Sequence, residues 1–239
     1  MKNVFFVFFL SIFIAQGVFA EDLNFITLEV SPWASINPET GEPEGVFPLV
    51  VREFEKRSGH KINITLTPFA RIQRELESGR QDCTILVTNA ELARVTEQGK
   101  LLSHHAIGVI ARKGLVLSSY DDLNPLTISV LRGSNVSAKF DNDSSLKKEF
   151  DTNYSIGLRK LSHNRLDAIF GAIPTIRYLA AQEGYSDLLG DDLVLEDVPL
   201  LLQCSKRSPN LKLMPLFNQA ISDMHKDGTI AKIKKDYYF

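Results

Sequence analysis

Between Phe25 and Val87 the hydrophobic period of the chain switches back and forth between that of a strand and that of a helix, and few folds accommodate such a pattern. Phe25 to Val30 reads as a strand, ended by Ser31-Pro32-Trp33 with the protein's single tryptophan. Phe47 to Ser58 puts Phe47, Val50, Val51 and Phe54 at helical spacing, with Gly59 as the stop. Lys61 to Leu66 alternates as a strand; Pro68 then opens a helix through Ile72 and Leu76 that closes at Gly79. Cys83 to Val87 is a short apolar run rich in strand formers. Strand, helix, strand, helix, strand is the signature of a parallel sheet, and ligands of such sheets bind beyond the carboxyl ends of the strands. Trp33, Phe69 and Asn89 each follow one of those ends. Thr88 and Asn89 begin a polar loop, and Arg94 comes about one helical turn later. A guanidinium there can clamp a carboxylate or phosphate, with an ordinary surface arginine as the alternative.

A further apolar strand, Ala106 to Ala111, leads to a second series of the same kind. Tyr120 to Leu123 and Pro125 form a turn, and Leu126 to Leu131 is a strand. Gly133-Ser134-Asn135 precede a segment, Val136 to Phe140, that reads as a helix start. Small polar residues there serve either as an anion-binding backbone cradle or as an ordinary cap. Asn142 to Asn153 is polar and reads as surface; Leu158 to Asn164 is a helix, Leu166 to Phe170 a strand, and Pro174 to Gly184 a helix. Leu193 to Leu202 is an extended apolar stretch, Lys206 to Asn210 is a turn, and the helices Leu211 to Lys226 and Thr229 to Tyr237 finish the chain. Two α/β lobes are expected: residues 21–108 with 198–239, and residues 109–197.

The leader differs from the rest. Lys2 is followed by an apolar run from Val4 to Ile14, and Val18-Phe19-Ala20 suits a signal peptidase, so residues 1–20 read as a signal peptide cleaved after Ala20. The run is short of the ~20 residues a membrane span needs, although an uncleaved anchor is the alternative. A periplasmic protein is expected. The chain has 239 residues, 44% hydrophobic content and a formal net charge of -2. It can therefore bury a good core, and it lacks the basic excess that nucleic acid binding needs. Cys83 and Cys204 both lie in apolar runs; export allows a disulfide between them, and two small buried residues are the alternative. Their spacing fits no metal motif. His104 and His105 are adjacent and point to opposite faces of a strand, which argues against a metal pair. No nucleophile elbow is present.

In order and spacing these segments resemble the family 3 extracellular solute-binding proteins, the receptors of polar amino acid ABC transporters. The resemblance is carried by Trp33, by Gly45, by PFARIQRELESGRQD from Pro68 to Asp82, and by Arg94. It continues in Asp121-Asp122-Leu123, Arg132-Gly133-Ser134, NRLDAIF from Asn164 to Phe170, and Asp227-Gly228-Thr229 with Tyr237-Tyr238. It implies a type II periplasmic-binding-protein fold whose lobes are joined by two extended crossovers near Ala106 to Ile110 and Val198 to Leu202. It implies a small carboxylate-bearing ligand held by Arg94 through its carboxylate, by Trp33 and Phe69 as apolar walls, by Asn89, and by the Ser134-Asn135 loop. No cofactor and no catalytic residue are implied; the partner is an ABC permease or a membrane sensor, and a monomer is expected. One departure stands out: where amino acid receptors carry an acid for the ligand's ammonium, this chain has Gly171, Ala172 and Ile173, which points to an anionic or neutral polar ligand. A cyclohexadienyl dehydratase-like enzyme is the catalytic alternative, with Glu44, Glu91 and Asp167 as the candidate general acids.

Overall fold

The computed structural model describes residues 22–238, so the leader read at residues 1–20 lies outside the described residues. The chain begins with β1 (Leu23–Leu28), followed by the short pair β2 (Ser35–Ile36) and β3 (Pro43–Glu44). Helix α1 (Val46–Ser58) buries Val46, Phe47, Val50, Val51 and Phe54, the stripe its spacing predicts. It stops at Gly59, whose φ of 73° lets the N–H turn back to the Glu55 carbonyl. β4 (Ile62–Thr67), α2 (Phe69–Glu77) and β5 (Cys83–Val87) complete the first series. β1 pairs in parallel with β4 on one side and with β5 on the other, as strands linked by crossover helices must.

After a short helix, α3 (Ala90–Val95), comes the 17-residue strand β6 (Thr96–Arg112). The second series then runs β7 (Thr127–Leu131), α4 (Ala138–Asn142), β8 (Lys147–Asp151), α5 (Tyr154–Ser162), β9 (Ala168–Ala172) and α6 (Ile173–Gln182). A second strand of 17 residues, β10 (Leu189–Ser205), brings the chain back, and α7 (Met214–Lys226) and α8 (Thr229–Tyr238) end it. All the strands but β2 and β3 form one eight-stranded sheet in the order β4-β1-β5-β10-β6-β9-β7-β8. Its outer thirds are parallel. The centre is an antiparallel ribbon of β10 and β6, and the ribbon joins β5 on one side to β9 on the other. Helices α7 and α8 pack on α1, where the Phe54 and Phe217 rings lie 5.2 Å apart and Arg57 pairs with Asp227 at 2.9 Å.

Several local expectations need correction. The polar loop expected after β5 is helix α3, because the Asn89 side chain accepts the Leu92 N–H at 2.7 Å and nucleates a turn. The apolar segments Ala106 to Ala111 and Leu193 to Leu202 are parts of β6 and β10, and both strands extend beyond them: the polar start of β6 pairs with the closing stretch of β10, Val198 to Ser205, and Asp192 of β10 pairs with Ile110 of β6. Asn142 to Asn153 is more than surface coil, since it contains the edge strand β8. Its charged residues hide the period, while Asp151 is buried and Phe150 is exposed, and lysines are a common way to blunt a sheet edge. The helix expected from Val136 begins at Ala138 and is only five residues long.

Cys83 and Cys204 stand opposite each other in the antiparallel register of β5 and β10 and form a disulfide that closes a separation of 121 residues. Tying so long a loop removes much of the unfolded chain's freedom. The double variant Cys83→Ala/Cys204→Ala is therefore expected to lose about 2–5 kcal/mol of unfolding free energy in urea denaturation. An unchanged midpoint would show that the bridge contributes nothing to stability.

Candidate functional site

Strand ends from both series meet around one cavity. Leu28 ends β1, Val87 ends β5, Leu131 ends β7 and Ala172 ends β9, and all four line it beside Ile107 and Leu200 of the central ribbon. The cavity measures about 50 Å³, room for a handful of waters, since one needs about 10–15 Å³. No Asp, Glu, Lys or Arg is among the residues that line it.

Trp33 forms one wall. It is 3% exposed, its ring lies 5.1 Å from that of Phe47, and the His105 ring meets it edge-on at 4.5 Å. Its indole Nε1 donates to Thr175 Oγ1 at 2.8 Å, which ties the segment after β1 to helix α6. Phe69, the first residue of α2, separates the cavity from a neighbouring pocket of about 190 Å³ and lines both. Opposite them, the Tyr154 hydroxyl accepts the Ala172 N–H at 3.2 Å. Gly171 has to be glycine there, because a Cβ would collide with that hydroxyl. Burial pushes the Tyr154 phenol up, so it stays neutral. The two series also approach closely at the loop after β7, where a Cβ on Gly133 would lie 3.0 Å from Ala70 Cα.

His105 supplies the cavity's only imidazole. Adjacent residues on β6 face opposite ways, and His105 is accordingly buried while His104 is exposed. Burial pushes the His105 imidazole down from 6.5 to about 4, the His104 carbonyl opposes that, and Lys234 and Asp197 act in opposite directions. The ring nitrogen Nδ1 is 3.3 Å from the His104 carbonyl, which can only accept, so Nδ1 carries the proton and Nε2 is left as an acceptor. The wall is thus uncharged at neutral pH.

Of the residues singled out in the sequence, Trp33, Phe69 and Ser134 come together at this cavity. Asn89 lines the neighbouring pocket with Gln73 and Glu91, its side-chain oxygen engaged as the α3 cap. Asn135 lies farther out, in an open groove with Glu91 and Lys148. Arg94 lines none of these. It is exposed on α3, three residues after Glu91 and hence on the same helix face, and its guanidinium is in no ion pair among the described residues. At Ser134 the backbone N–H is already engaged, donating to the Leu131 carbonyl at 2.9 Å, and α4 starts only at Ala138. His105, Tyr154 and Thr175 are the site residues that inspection of the sequence misses. In the sequence, His105 stands out only as half of an adjacent pair unsuited to a metal. Tyr154 and Thr175 carry no local signal at all, since helix residues reach the cavity only through long-range packing.

The family model of the bacterial extracellular solute-binding proteins, family 3, matches residues 25–239. The probable amino-acid-binding protein YxeM of Bacillus subtilis (strain 168) is 24% identical over 208 residues, covering 84% of this chain and 78% of its own. Among solved structures, a P235GK mutant of the T. maritima arginine-binding protein superposes with a TM-score of 0.79 at 17% identity, covering 91% of this chain and 95% of that one. The GluR0 ligand-binding core of Nostoc punctiforme, in complex with L-glutamate, does so with 0.78 at 16% identity, covering 90% and 99%. The fold is thus shared with both solved structures, and the family model's match over residues 25–239 makes the chain a member of the bacterial extracellular solute-binding proteins, family 3.

Proposed function

We propose that this protein is an exported receptor that holds an amino acid or a related small carboxylate between its two halves, residues 21–108 with 198–239 and residues 109–197, and hands it to an ABC permease. The observation that carries this reading is the cavity at the converging strand ends, walled by Trp33 and Phe69. The family and the relatives named for amino acid binding support the ligand class. The family's extracellular description supports export, and no helix of the described residues is long and apolar enough to cross a membrane.

The carboxylate, in this reading, faces the pocket lined by Gln73 and Asn89, and the exposed Arg94 on the next turn of α3 serves it from the solvent side. Aromatic faces give the larger share of the binding energy, because they are buried and the arginine is not. Binding rather than elimination chemistry is favoured by where the three candidate acids sit. Glu44 accepts from Asn37 at 2.7 Å, Asp167 accepts the Thr127 N–H at 2.9 Å, and Glu91 lines only the outer pockets.

A thermal-shift screen of the mature protein against amino acids and small carboxylates is expected to produce a hit, since a ligand at about a hundred times its Kd adds ~2.7 kcal/mol. For that ligand, Phe69→Ala is expected to weaken binding by about 2 kcal/mol or more, as truncated aromatic anchors do. Arg94→Ala should cost about 1 kcal/mol, the scale of an exposed ion pair. A loss of about 2–5 kcal/mol at Arg94 instead would mean that the guanidinium is desolvated against the ligand.

The site also makes a pH prediction. Because the folded His105 titrates near 4 and the unfolded one near 6.5, the unfolded state binds more protons between those values. Its contribution to stability is therefore full above pH 6.5 and lost as the pH falls toward 4. On the order of 3 kcal/mol is at stake. Acid titration of stability in wild type and His105→Phe should differ by a component confined to that window; parallel curves would show that His105 is not buried neutral.

A further inference from the structure

Neighbours with solved structures are described with arginine, glutamate, glutamine or cysteine, and the wall of this cavity contains no charged side chain. Its surface is made chiefly by Leu28, Val87, Ile107, Leu131, Val136 and Leu200, together with the rings of Trp33 and Phe69. The polar side chains among them are Ser134, Thr175, Tyr154 and His105, all uncharged and partly engaged. Thr175 Oγ1 accepts from the Trp33 indole, the Tyr154 hydroxyl accepts from the Ala172 N–H, and the His105 imidazole is neutral. A guanidinium, ammonium or carboxylate placed here would lose its hydration and meet no countercharge, and burying an unpaired charge is among the costliest events in a protein interior. An apolar group entering the same space gains contacts and loses none.

Two pockets share wall residues with the cavity and carry polar groups. One lies past Phe69 and Leu86 and adds Gln73, Asn89 and Glu91; the other lies past Val30 and Tyr154 and adds Glu29, Ser31 and Glu183. The charged ends of a solute would lie toward these pockets rather than in the cavity.

We infer that the cavity is a side-chain pocket selective for an uncharged, apolar group, so that the receptor takes amino acids or related carboxylates with aliphatic or aromatic side chains and rejects those with charged ones. The inference rests on the receptor reading above and narrows it.

The test is calorimetric titration of the mature wild-type protein with leucine, isoleucine, methionine, phenylalanine and tryptophan against arginine, lysine, glutamate and aspartate. At least one member of the first set is expected to bind about a hundredfold or more tightly than every member of the second, a difference of two factors of ten on the affinity scale. Equal or tighter binding of a charged member would overturn the side-chain inference and leave the receptor reading standing. Binding of indole or toluene with none of the amino acids would support the uncharged pocket and overturn the amino acid reading. Silence across all probes would overturn both. A second arm uses Leu131→Asp, which puts a carboxylate into the wall: apolar ligands should lose affinity at least tenfold while arginine or lysine gains, and an unchanged ranking would overturn the inference.

Discussion

Everything in this molecule hangs on the pairing of β6 with β10. Each is 17 residues long, and together they form the one element that belongs to both parallel sets of strands. An antiparallel ribbon can serve as such a bridge because its hydrogen bonds run across the strands and satisfy both backbones along the whole length, wherever the flanking sheets begin and end. The fit is close. A Cβ at Gly108 would collide with the Leu193 carbonyl, so β6 needs a glycine at the point where the ribbon is tightest. The register slips between Val194 and Glu196 and again between Leu200 and Gln203, and such irregularities increase local twist and bend a strand. Any closing motion between the two parallel sets has to be absorbed by this ribbon, and the irregular stretches are where it is least costly to bend. The Cys83–Cys204 bridge stiffens one end by fastening β10 to β5.

The ribbon also explains why the cavity is apolar. Its floor is made of central strands, covered on both sides, where β-branched and aliphatic residues dominate for reasons of core packing alone. Strand ends bring Leu28, Val87, Leu131 and Ala172 to the same place. A binding site in this position begins as an extension of the hydrophobic core, and each charge in it has to be added against a desolvation cost. This chain leaves the charges out and keeps aromatic rings and a neutral imidazole. The fold is common to the family, while the chemistry of recognition is decided by a few side chains at the strand ends.

Much of the fold was legible because hydrophobic period and glycine stops report local structure directly: α1, β5 and the closing helices fall where Val50, Phe54, Gly59 and Gly228 indicate. What escaped was structure whose signal is not local. β8 is a charged edge strand made visible only by its partner β7, and the polar starts of β6 and β10 become strands by pairing with the more apolar closing stretch of the other strand. The site divided along the same line. Trp33 and Phe69 could be found since each aromatic residue follows a strand end. Arg94 sits at a spacing that suggests a clamp, but spacing does not say which way a six-residue helix turns, and here it turns the guanidinium to solvent. Thr175 lies 142 residues from the indole it accepts from, a distance no motif spans.

That indole bond has an energetic consequence for any solute the cavity receives. Trp33 to Thr175 and Gly133 to Ala70 are contacts made between the two series by the protein alone. They stabilise the approach of the two halves whether or not a ligand is present, and a ligand shifts an equilibrium only by the difference in its affinity for the two states. If the protein closes on a ligand as the proposed receptor would, the closed arrangement starts from a smaller deficit than one held by ligand charges alone, and less of the ligand's interaction energy goes into closing it. For an apolar group this matters more than for a charged one. A charged ligand can draw two lobes together through countercharges on both; an apolar side chain acts only over contact distances, and so it needs walls already within reach of each other.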